Sequence, residues 1–364
     1  MKIQEVVNYL NSLIPIGIQE SYDNSGIQIG DTEAELKGVL ISLDLTPKVV
    51  AEAVEKACNL IVTHHPFIFS GIKKITAGSP TGDLIYSLIR NGVAVYSAHT
   101  NLDKLNTGVS ALLASHLGLQ SAHVLVPEAD SLKQLVVYCP KAEVAKLKEA
   151  LYDAGAGRMG NYRHCSYTVS GCGTFEPLPG AEPFLGELGH ETATEEERVE
   201  MIYPKVFEKK IVETLKANHP YEEPAFALLP MTNANADLGL GIIGQLPDCL
   251  TAEAFLKSVK ETLGLPMLRH SALCHKNVKT VAVCGGSGAS FIEVALSQKA
   301  DVFLTGDLKY HDFQKADGRI IVADIGHYES EQFAKEFFYD KISKKFSTFA
   351  VQVSDENTNF VSYM

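Results

Sequence analysis

Short apolar runs separated by helical patterns constrain the fold of this chain more than any other feature. Near the N-terminus the runs are Val39–Leu43, Leu60–Thr63 and Val93–Ser97. The same rhythm returns near the C-terminus, in Val278–Val283, Val302–Thr305, Ile320–Ala323 and Thr348–Val353. Strands this short and this uniformly apolar are typical of a parallel or mixed sheet that helices cover on both faces. The predicted fold class is therefore α/β.

The two ends of the chain also match each other without a gap at an offset of 242 residues. Asn59-Leu-Ile-Val-Thr63 aligns with Asp301-Val-Phe-Leu-Thr305, so that His64-His65 and Gly306-Asp307 follow equivalent strands. Two buried strand–helix–strand units can match by composition alone, and an internal duplication is the interpretation we favour. It predicts two related α/β halves that form one core.

Between these halves the pattern becomes strand, helix, strand, strand, helix, strand. The strands are Leu132–Cys139, Tyr162–Thr174, a strand ending at Tyr203 and Ala225–Leu229, with helices over Lys141–Ala154 and up to Asn218. This order is typical of a ferredoxin-like α+β domain. We therefore predict a core of residues 1–123 and 248–364, interrupted by an inserted ferredoxin-like domain at 124–247.

Composition narrows the classes of partner and compartment. The 32 Lys and Arg against 44 Asp and Glu give a net charge of −12, which argues against nucleic acid as the main partner. Seven cysteines without a Cys-x-x-Cys pair indicate neither a disulfide framework nor a thiolate zinc site, and suit a reducing cytoplasm. No apolar run reaches the about 18 residues of a membrane span, and the N-terminus lacks a signal-peptide pattern. A soluble, cytoplasmic protein without a membrane partner is predicted.

Polar residues follow the predicted strands of the core at their carboxyl ends, where ligands bind in open α/β sheets. The candidate metal ligands are His64, His65, Asp103, His327 and Glu331. His327 and Glu331 are four residues apart and share a helix face. Each group also has an ordinary structural interpretation: a pair of hydrogen-bonded loop histidines, a helix-capping aspartate, or a surface His–Glu pair.

Taken together, the candidates offer three imidazoles and two carboxylates and no thiolate. This donor set suits Zn²⁺, Fe²⁺ or Mn²⁺. Five protein ligands are too many for one catalytic ion with an open coordination position. They predict two divalent ions per subunit that share a carboxylate, and no other cofactor.

The motifs Thr-His-His-Pro, Ser-Ala-His-Thr-Asn-Leu-Asp and Gly-His-Tyr-x-Ser-Glu resemble those of a dinuclear-metal family. This family is named after the yeast NGG-one interacting factor three, and its members are also called GTP cyclohydrolase I type 2 homologues. The middle of the chain, including His219-Pro-Tyr-Glu-Glu-Pro224, is similar to the PII- or CutA-like insert of the longer bacterial members.

The resemblance implies a ligand assignment and an assembly. His64 and Asp103 would hold one ion. His65 and His327 would hold the other, with Glu331 bridging the two. Family members are similar in forming toroidal homohexamers whose metal sites face an internal cavity, with the inserts at the openings.

Two classes of function follow from these patterns. The first is a metal-dependent hydrolase for a nucleotide-like substrate, in which the ions would generate hydroxide from water. The resemblance implies that this hydroxide would attack C8 of the GTP imidazole ring, with release of formate. His99 and His311 are the candidate proton-transfer residues, because both lie near predicted strand ends. The alternative is a non-catalytic, metal-binding regulatory assembly that binds a small ligand or a partner protein through the insert.

Other polar residues near the strand ends have weaker indications. Asp44 and Asp307 could orient the metal ligands or take part in acid–base chemistry, and a structural role explains them equally well. Gly285-Gly-Ser-Gly288 lacks the Lys-Ser/Thr of a phosphate-binding P-loop. It predicts a tight strand-to-helix turn near the site.

Overall fold

The strands of this chain lie in three sheets, of five, six and four strands. The computed structural model describes all 364 residues, which form two compact units. The first unit consists of Met1–Val126 and Leu238–Met364, and the second is Pro127–Asp237. The five- and six-stranded sheets are built almost entirely from the first unit, and the four-stranded sheet from the second.

The N-terminal part of the first unit alternates strands with helices. Its strands are β1 (Gly26–Ile29), β2 (Gly38–Ser42), β3 (Leu60–Thr63) and β4 (Ala94–Ser97). Its helices are α1 (Ile3–Leu13), α2 (Pro47–Glu55), α3 (Pro80–Arg90), α4 (Thr100–Asp103) and α5 (Val109–His116), with a 3₁₀ turn at Ile16–Ile18. Thr46 and Ser79 cap α2 and α3 by accepting a backbone N–H, and a proline follows each cap. These caps set where the two helices begin.

The second unit begins near the end of strand β5 (Gln120–Glu128), at Pro127. Its elements are β6 (Leu132–Pro140), α6 (Val144–Ala154), β7 (Tyr167–Phe175), β8 (Thr192–Pro204), α7 (Glu208–Asn218) and β9 (Phe226–Pro230), with a 3₁₀ turn at Lys205–Phe207. The four strands form an antiparallel sheet in the order β7-β8-β6-β9. Its core joins buried residues of β6 and β8 to both helices, among them Leu135, Leu147, Met201, Tyr203 and Leu215.

The chain then returns to the first unit. The strands of this part are β10 (Asn235–Thr251), β11 (Arg269–His270), β12 (Asn277–Ser287), β13 (Val302–Gly306), β14 (Ile321–Asp324) and β15 (Ala350–Val353). Its helices are α8 (Ala252–Thr262), α9 (Ile292–Ser297), α10 (Tyr310–Gln314), α11 (His327–Glu331) and α12 (Ala334–Lys345), with a 3₁₀ turn at Ala289–Phe291.

Each large sheet contains neighbouring parallel strands. In the five-stranded sheet, ordered β1-β4-β3-β2-β15, only β1 is antiparallel to its neighbour. In the six-stranded sheet, ordered β11-β14-β13-β12-β10-β5, strands β12, β13 and β14 are parallel. Every residue of β2, β3, β4, β13 and β14 is buried, which explains their apolar composition. The α/β class is confirmed, and no helix is both long and apolar enough to cross a membrane.

Two boundaries differ from the sequence prediction. The sequence pattern predicts one long helix over about 327–344, between the last two predicted strands, but the structure divides it into α11 and α12 by a turn at residues 332–333. There the N–H groups of Lys335 and Glu336 bond to carbonyls only three residues back, which tightens the chain. The second unit is also shorter than the predicted insert of 124–247, because residues 242–245 of β10 pair with β12 in the first unit.

Candidate metal centre

The five predicted metal ligands all lie just beyond the carboxyl ends of parallel strands in the first unit. His64 and His65 directly follow β3, and Asp103 is the last residue of α4, which is separated from β4 by two residues. His327 begins α11 after β14, and Glu331 ends that helix. Two sheets therefore supply ligands to one place, each through the loop or helix that leaves a strand end.

Glu331 lies at the centre of this group, with its side chain 4% exposed. Its Oε2 lies 2.8 Å from Nε2 of His65 and 3.0 Å from Nε2 of His327. Its Oε1 faces the other way and lies 3.8 Å from Nε2 of His64. One ligand atom each from His64, His65 and Glu331 lies within 4.8 Å of the others, so this buried group could hold a metal ion.

Asp103 and His64 supply the observation that tests whether a metal fits. Asp103 Oδ1 lies 3.5 Å from Nε2 of His64, and both atoms are buried without a hydrogen-bond partner. Buried polar atoms are almost always paired, because leaving them unpaired costs about 1–3 kcal/mol or more. An imidazole nitrogen and a carboxylate oxygen that face each other unpaired provide the donors a cation needs. The residues present therefore fit a metal ion.

The Nδ1 atoms of His64, His65 and His327 all have hydrogen-bond partners. Nδ1 of His64 lies 2.8 Å from the carbonyl oxygen of Ala98. Nδ1 of His65 lies 2.7 Å from Oδ1 of Asp44, and Nδ1 of His327 lies 2.7 Å from Oδ2 of Asp307. An acceptor on Nδ1 makes that nitrogen the protonated one in the neutral ring and points Nε2 at the metal position.

The charges of the group depend on one another. Burial disfavours charge on His65, but hydrogen bonds to Asp44 and Glu331 outweigh it and raise the pKa of His65 to about 10. The same balance, with Glu331 and Asp307, raises the pKa of His327 to about 9. The imidazoles hold the pKa of Glu331 well below its usual range against the effect of burial. Protonated imidazoles thus supply the positive charge that balances the carboxylates when no metal ion is bound.

His99 lies beside this group. Its ring centroid is 5.4 Å from that of His64 and 5.5 Å from that of His65. Its Nδ1 lies 2.9 Å from Oδ1 of Asp23, whose buried carboxylate also accepts the N–H of Thr100. Burial alone would raise the pKa of Asp23, but the hydrogen bonds from His99 and Thr100 hold it far below its usual range.

His311, the other proton-transfer candidate, has different surroundings. Its side chain is exposed, and its contacts are with Tyr310 and Gln314 of the same short helix, α10. The structure does not bring it into contact with the five predicted ligands. Asp307, four residues earlier in the chain, does contact one of these ligands, His327.

The glycine-containing end of β12 packs directly against the central carboxylate; the strand continues to Ser287, so the turn expected over Gly285–Gly288 is confined to its last residue. Gly286 has a φ of +62°, and a Cβ at this position would lie 2.2 Å from Oε1 of Glu331. Its N–H donates to Oγ of Ser330, 2.9 Å away, which holds this end of β12 against α11. Glycine is required here both by the backbone conformation and by the close approach.

Sequence reasoning missed two contributors. Asp23 lies in a loop before β1 and reaches His99 across 76 residues of sequence, and no spacing or strand end marks it. Thr358, in the C-terminal segment, donates from Oγ1 to Oδ2 of Asp44, 2.9 Å away. This bond ties the end of the chain to the carboxylate that orients His65.

The fold and the site together define a class: a mixed α/β protein with a buried histidine–glutamate group, at the ends of its parallel strands, that could hold a metal ion. Residues 1–360 match the model of the family described as Duf34/NIF3 (NGG1p interacting factor 3). The chain belongs to this family, which confirms the resemblance seen in its motifs.

Relatives and solved structures agree along the whole chain. It is 38% identical to a protein of Bacillus subtilis named GTP cyclohydrolase 1 type 2 homolog, over 99% of this chain and 98% of that protein. It is 34% identical to a protein of the same name from Staphylococcus epidermidis, over 100% of both. A Bacillus cereus protein related to NIF3 has a similar structure, with a TM-score of 0.87 and 35% identity, covering 100% of this chain and 99% of that one.

Proposed function

We propose that this protein holds two divalent metal ions per subunit and is a metal-dependent hydrolase for a nucleotide-like substrate. The observation that carries the proposal is the division of ligands about Glu331. Oε1 faces His64, which in turn faces Asp103, whereas Oε2 faces His65 and His327. One oxygen toward each pair is the arrangement expected of a carboxylate that bridges two ions.

The donor set narrows the metal. Imidazoles and carboxylates without a thiolate suit Zn²⁺, Fe²⁺ or Mn²⁺. When bound, such ions act as Lewis acids and lower the pKa of water towards neutrality. The side chains around them have separate tasks: Asp44 and Asp307 fix the rings of His65 and His327, and the ring of His99 can hold a proton next to the ligands.

The names of the relatives suggest the first substrate to test. Proteins 38% and 34% identical to this chain are named GTP cyclohydrolase 1 type 2 homologues. We therefore propose GTP as the substrate to test first. The proposed reaction opens its imidazole ring at C8 and releases formate. His99, oriented by Asp23, is the residue we assign to proton transfer.

Metal content tests the centre itself. Mass spectrometry of the wild-type protein should give close to two divalent ions per chain, and Glu331→Ala should lose most of both. Glu329→Ala is a matched control on the same helix, because Glu329 is buried but bonds to Asn359 instead of the centre. A wild-type protein that binds no divalent metal would remove the basis of the proposal.

Turnover tests the activity separately. Zn-, Fe- and Mn-loaded protein should release formate from GTP in proportion to substrate consumed, and His64→Ala and Glu331→Ala should not. His99→Gln should retain metal but lose about 10²–10⁴ in rate if it transfers a proton. If the protein were fully occupied by metal but turned over neither GTP nor related nucleotides, the proposed metal site would stand and the proposed hydrolase activity would be excluded.

We also propose that residues 127–237 form an inserted ferredoxin-like domain and that the chain assembles as a homohexamer. The element order β6-α6-β7-β8-α7-β9 and the strand order β7-β8-β6-β9 support the first proposal. Family membership supports the second. Light scattering should then give a mass near six times the 39.6 kDa of one chain; a monomer at working concentration would contradict it.

A further inference from the structure

The segment His219-Pro-Tyr-Glu-Glu-Pro224 has no part in the metal centre, yet it helps to form a cavity within the second unit. The cavity has a volume of about 260 Å³. Its chemistry is set by three aromatic rings and three carboxylates: Phe175, Phe184, Tyr221, Glu196, Glu222 and Glu223. We call it the aromatic cavity. It is slightly smaller than the roughly 300–1,000 Å³ of pockets for drug-sized ligands, so it suits a smaller molecule.

The three rings line the same cavity, and Tyr221 contacts the other two. The centroid of Tyr221 lies 5.9 Å from that of Phe175, with 54° between the ring planes. It lies 6.2 Å from that of Phe184, with 50° between the planes. Ring faces attract a positive charge that lies within about 6 Å of their centroid, so a cation that entered this cavity would approach aromatic rings on its walls.

The central ring is held in place by its neighbours. The N–H of Tyr221 donates to Nδ1 of His219, 3.1 Å away, and Nε2 of His219 donates to the carbonyl oxygen of Tyr138 at 2.8 Å. The hydroxyl of Tyr221 donates to Oε1 of Glu196 at 2.8 Å. A ring fixed at both ends requires little reorganisation when a ligand enters.

The charges of the lining are all of one sign. Glu196, Glu222 and Glu223 are its only charged residues, and no lysine or arginine lines the cavity. These carboxylates are not among the clustered donor groups that could hold a metal ion. Spread negative charge around aromatic faces favours a diffuse organic cation over a small, strongly hydrated metal ion.

We propose that the aromatic cavity binds a small organic cation, of the alkylated ammonium class. The rings supply the faces for the alkyl groups and the positive charge, and the carboxylates supply the compensating charge. The site lies entirely within the second unit, so the proposal stands or fails independently of the metal centre and its activity.

Choline and its neutral isostere 3,3-dimethylbutan-1-ol provide a direct test. Saturation-transfer difference NMR on the full-length protein measures the affinity of each compound by titration. Choline should bind saturably and at least tenfold more tightly than the isostere, because only the charge distinguishes them. Equal binding of the two would reveal an apolar pocket and overturn the proposal, as would no saturable binding of choline.

Variants then locate the site. Phe184→Leu keeps an apolar side chain at a position that is 52% exposed, and Glu196→Gln keeps a hydrogen-bonding group without the charge. Each should weaken choline binding at least fivefold. Tyr162→Leu is the matched control, since Tyr162 is 75% exposed in the same unit and does not line the cavity. Unchanged affinity in both Phe184→Leu and Glu196→Gln, or displacement of choline by an equimolar amount of Ca²⁺, would contradict the assignment.

Discussion

Buried histidines occur in both units of this protein, and they differ in what their second nitrogen faces. In the candidate metal centre, Nδ1 of His64 bonds to a backbone carbonyl while Nε2 faces an unpaired carboxylate oxygen. In the second unit, Nε2 of His219 bonds to the carbonyl of Tyr138 while Nδ1 accepts the N–H of Tyr221. The first ring has a nitrogen left for a ligand, and the second has none.

The pKa values of the buried histidines differ between the two units in the same way. Carboxylates outweigh burial at His65 and raise its pKa to about 10. At His219 burial dominates and lowers the pKa, although the hydrogen bond to the carbonyl of Tyr138 and the charge of Glu196 act in the opposite direction. We therefore expect metal to bind at His64, where carboxylates face a nitrogen without a hydrogen-bond partner, and not at His219.

Replacing one buried histidine in each unit should change the metal content only when the replaced residue is His64. His64→Gln should remove at least one metal ion per chain, because Asp103 and Glu331 lose the nitrogen that both face. His219→Gln should keep the wild-type metal content and lower the free energy of unfolding by about 1–3 kcal/mol through its broken hydrogen bonds. Mass spectrometry and urea unfolding measure the two outcomes. Equal metal content in both variants would refute the distinction.

The position of the central carboxylate should matter almost as much. Gly286→Ala places a Cβ 2.2 Å from Oε1 of Glu331, so the side chain must move from its place between the imidazoles. We expect metal affinity to fall by more than about 100-fold, beyond the loss typical of groups that only support a ligand. Gly318→Ala is a close control, since its φ of +64° is similar and no atom lies within 4 Å of the added Cβ. Competition with a chelator gives both affinities.

The carboxylates behind the rings should have a smaller effect. Asp44→Asn and Asp307→Asn remove the charge from the groups that orient His65 and His327. Each should lower metal affinity by about 10–100-fold while leaving the ligands in place. Asp312→Asn, a nearby aspartate that bonds to Lys309 and Lys315 instead, should leave it unchanged. Wild-type affinity in both test variants would mean that the rings are held by packing alone.

Much of the first unit could be predicted because burial leaves a clear pattern in sequence. Strand β3 agrees with its predicted range of Leu60–Thr63, and β13 and β14 agree within one residue. All are buried on both faces and contain few polar residues. Strand β10 was missed, because its 17 residues include several glycines and both buried and exposed positions. Nothing in its composition distinguishes it from a loop.

The site could be predicted only as far as strand ends reveal it. His64, His65 and Asp103 follow strands of one sheet, so the strand ends predict that these three lie near one another. His327 and Glu331 follow a strand of the other sheet, and the strand ends alone do not predict that the two groups meet. Asp23 could not be found in this way, since its role depends on a contact with a residue 76 positions away. His311 shows the opposite case: it follows β13 closely, but α10 places it at the surface, away from the predicted ligands.

The stability of the second unit should depend only weakly on pH, which is the smallest of the expected effects. The sign of this dependence should be opposite to that of a histidine bonded to a carboxylate. The groups around His219 are the carbonyl of Tyr138, the N–H of Tyr221 and the carboxylate of Glu196. Because burial lowers the pKa of His219 below its ordinary 6.5, the unfolded chain binds this proton more tightly than the folded one. The contribution of His219 to stability is therefore present above pH 6.5 and is lost as the pH falls below that value. Hydrogen exchange of β6 amides at pH 5 and pH 7.5, corrected for intrinsic rates, should show weaker protection at the lower pH. His219→Gln should remove that difference, and its persistence in the variant would assign the pH dependence to another group.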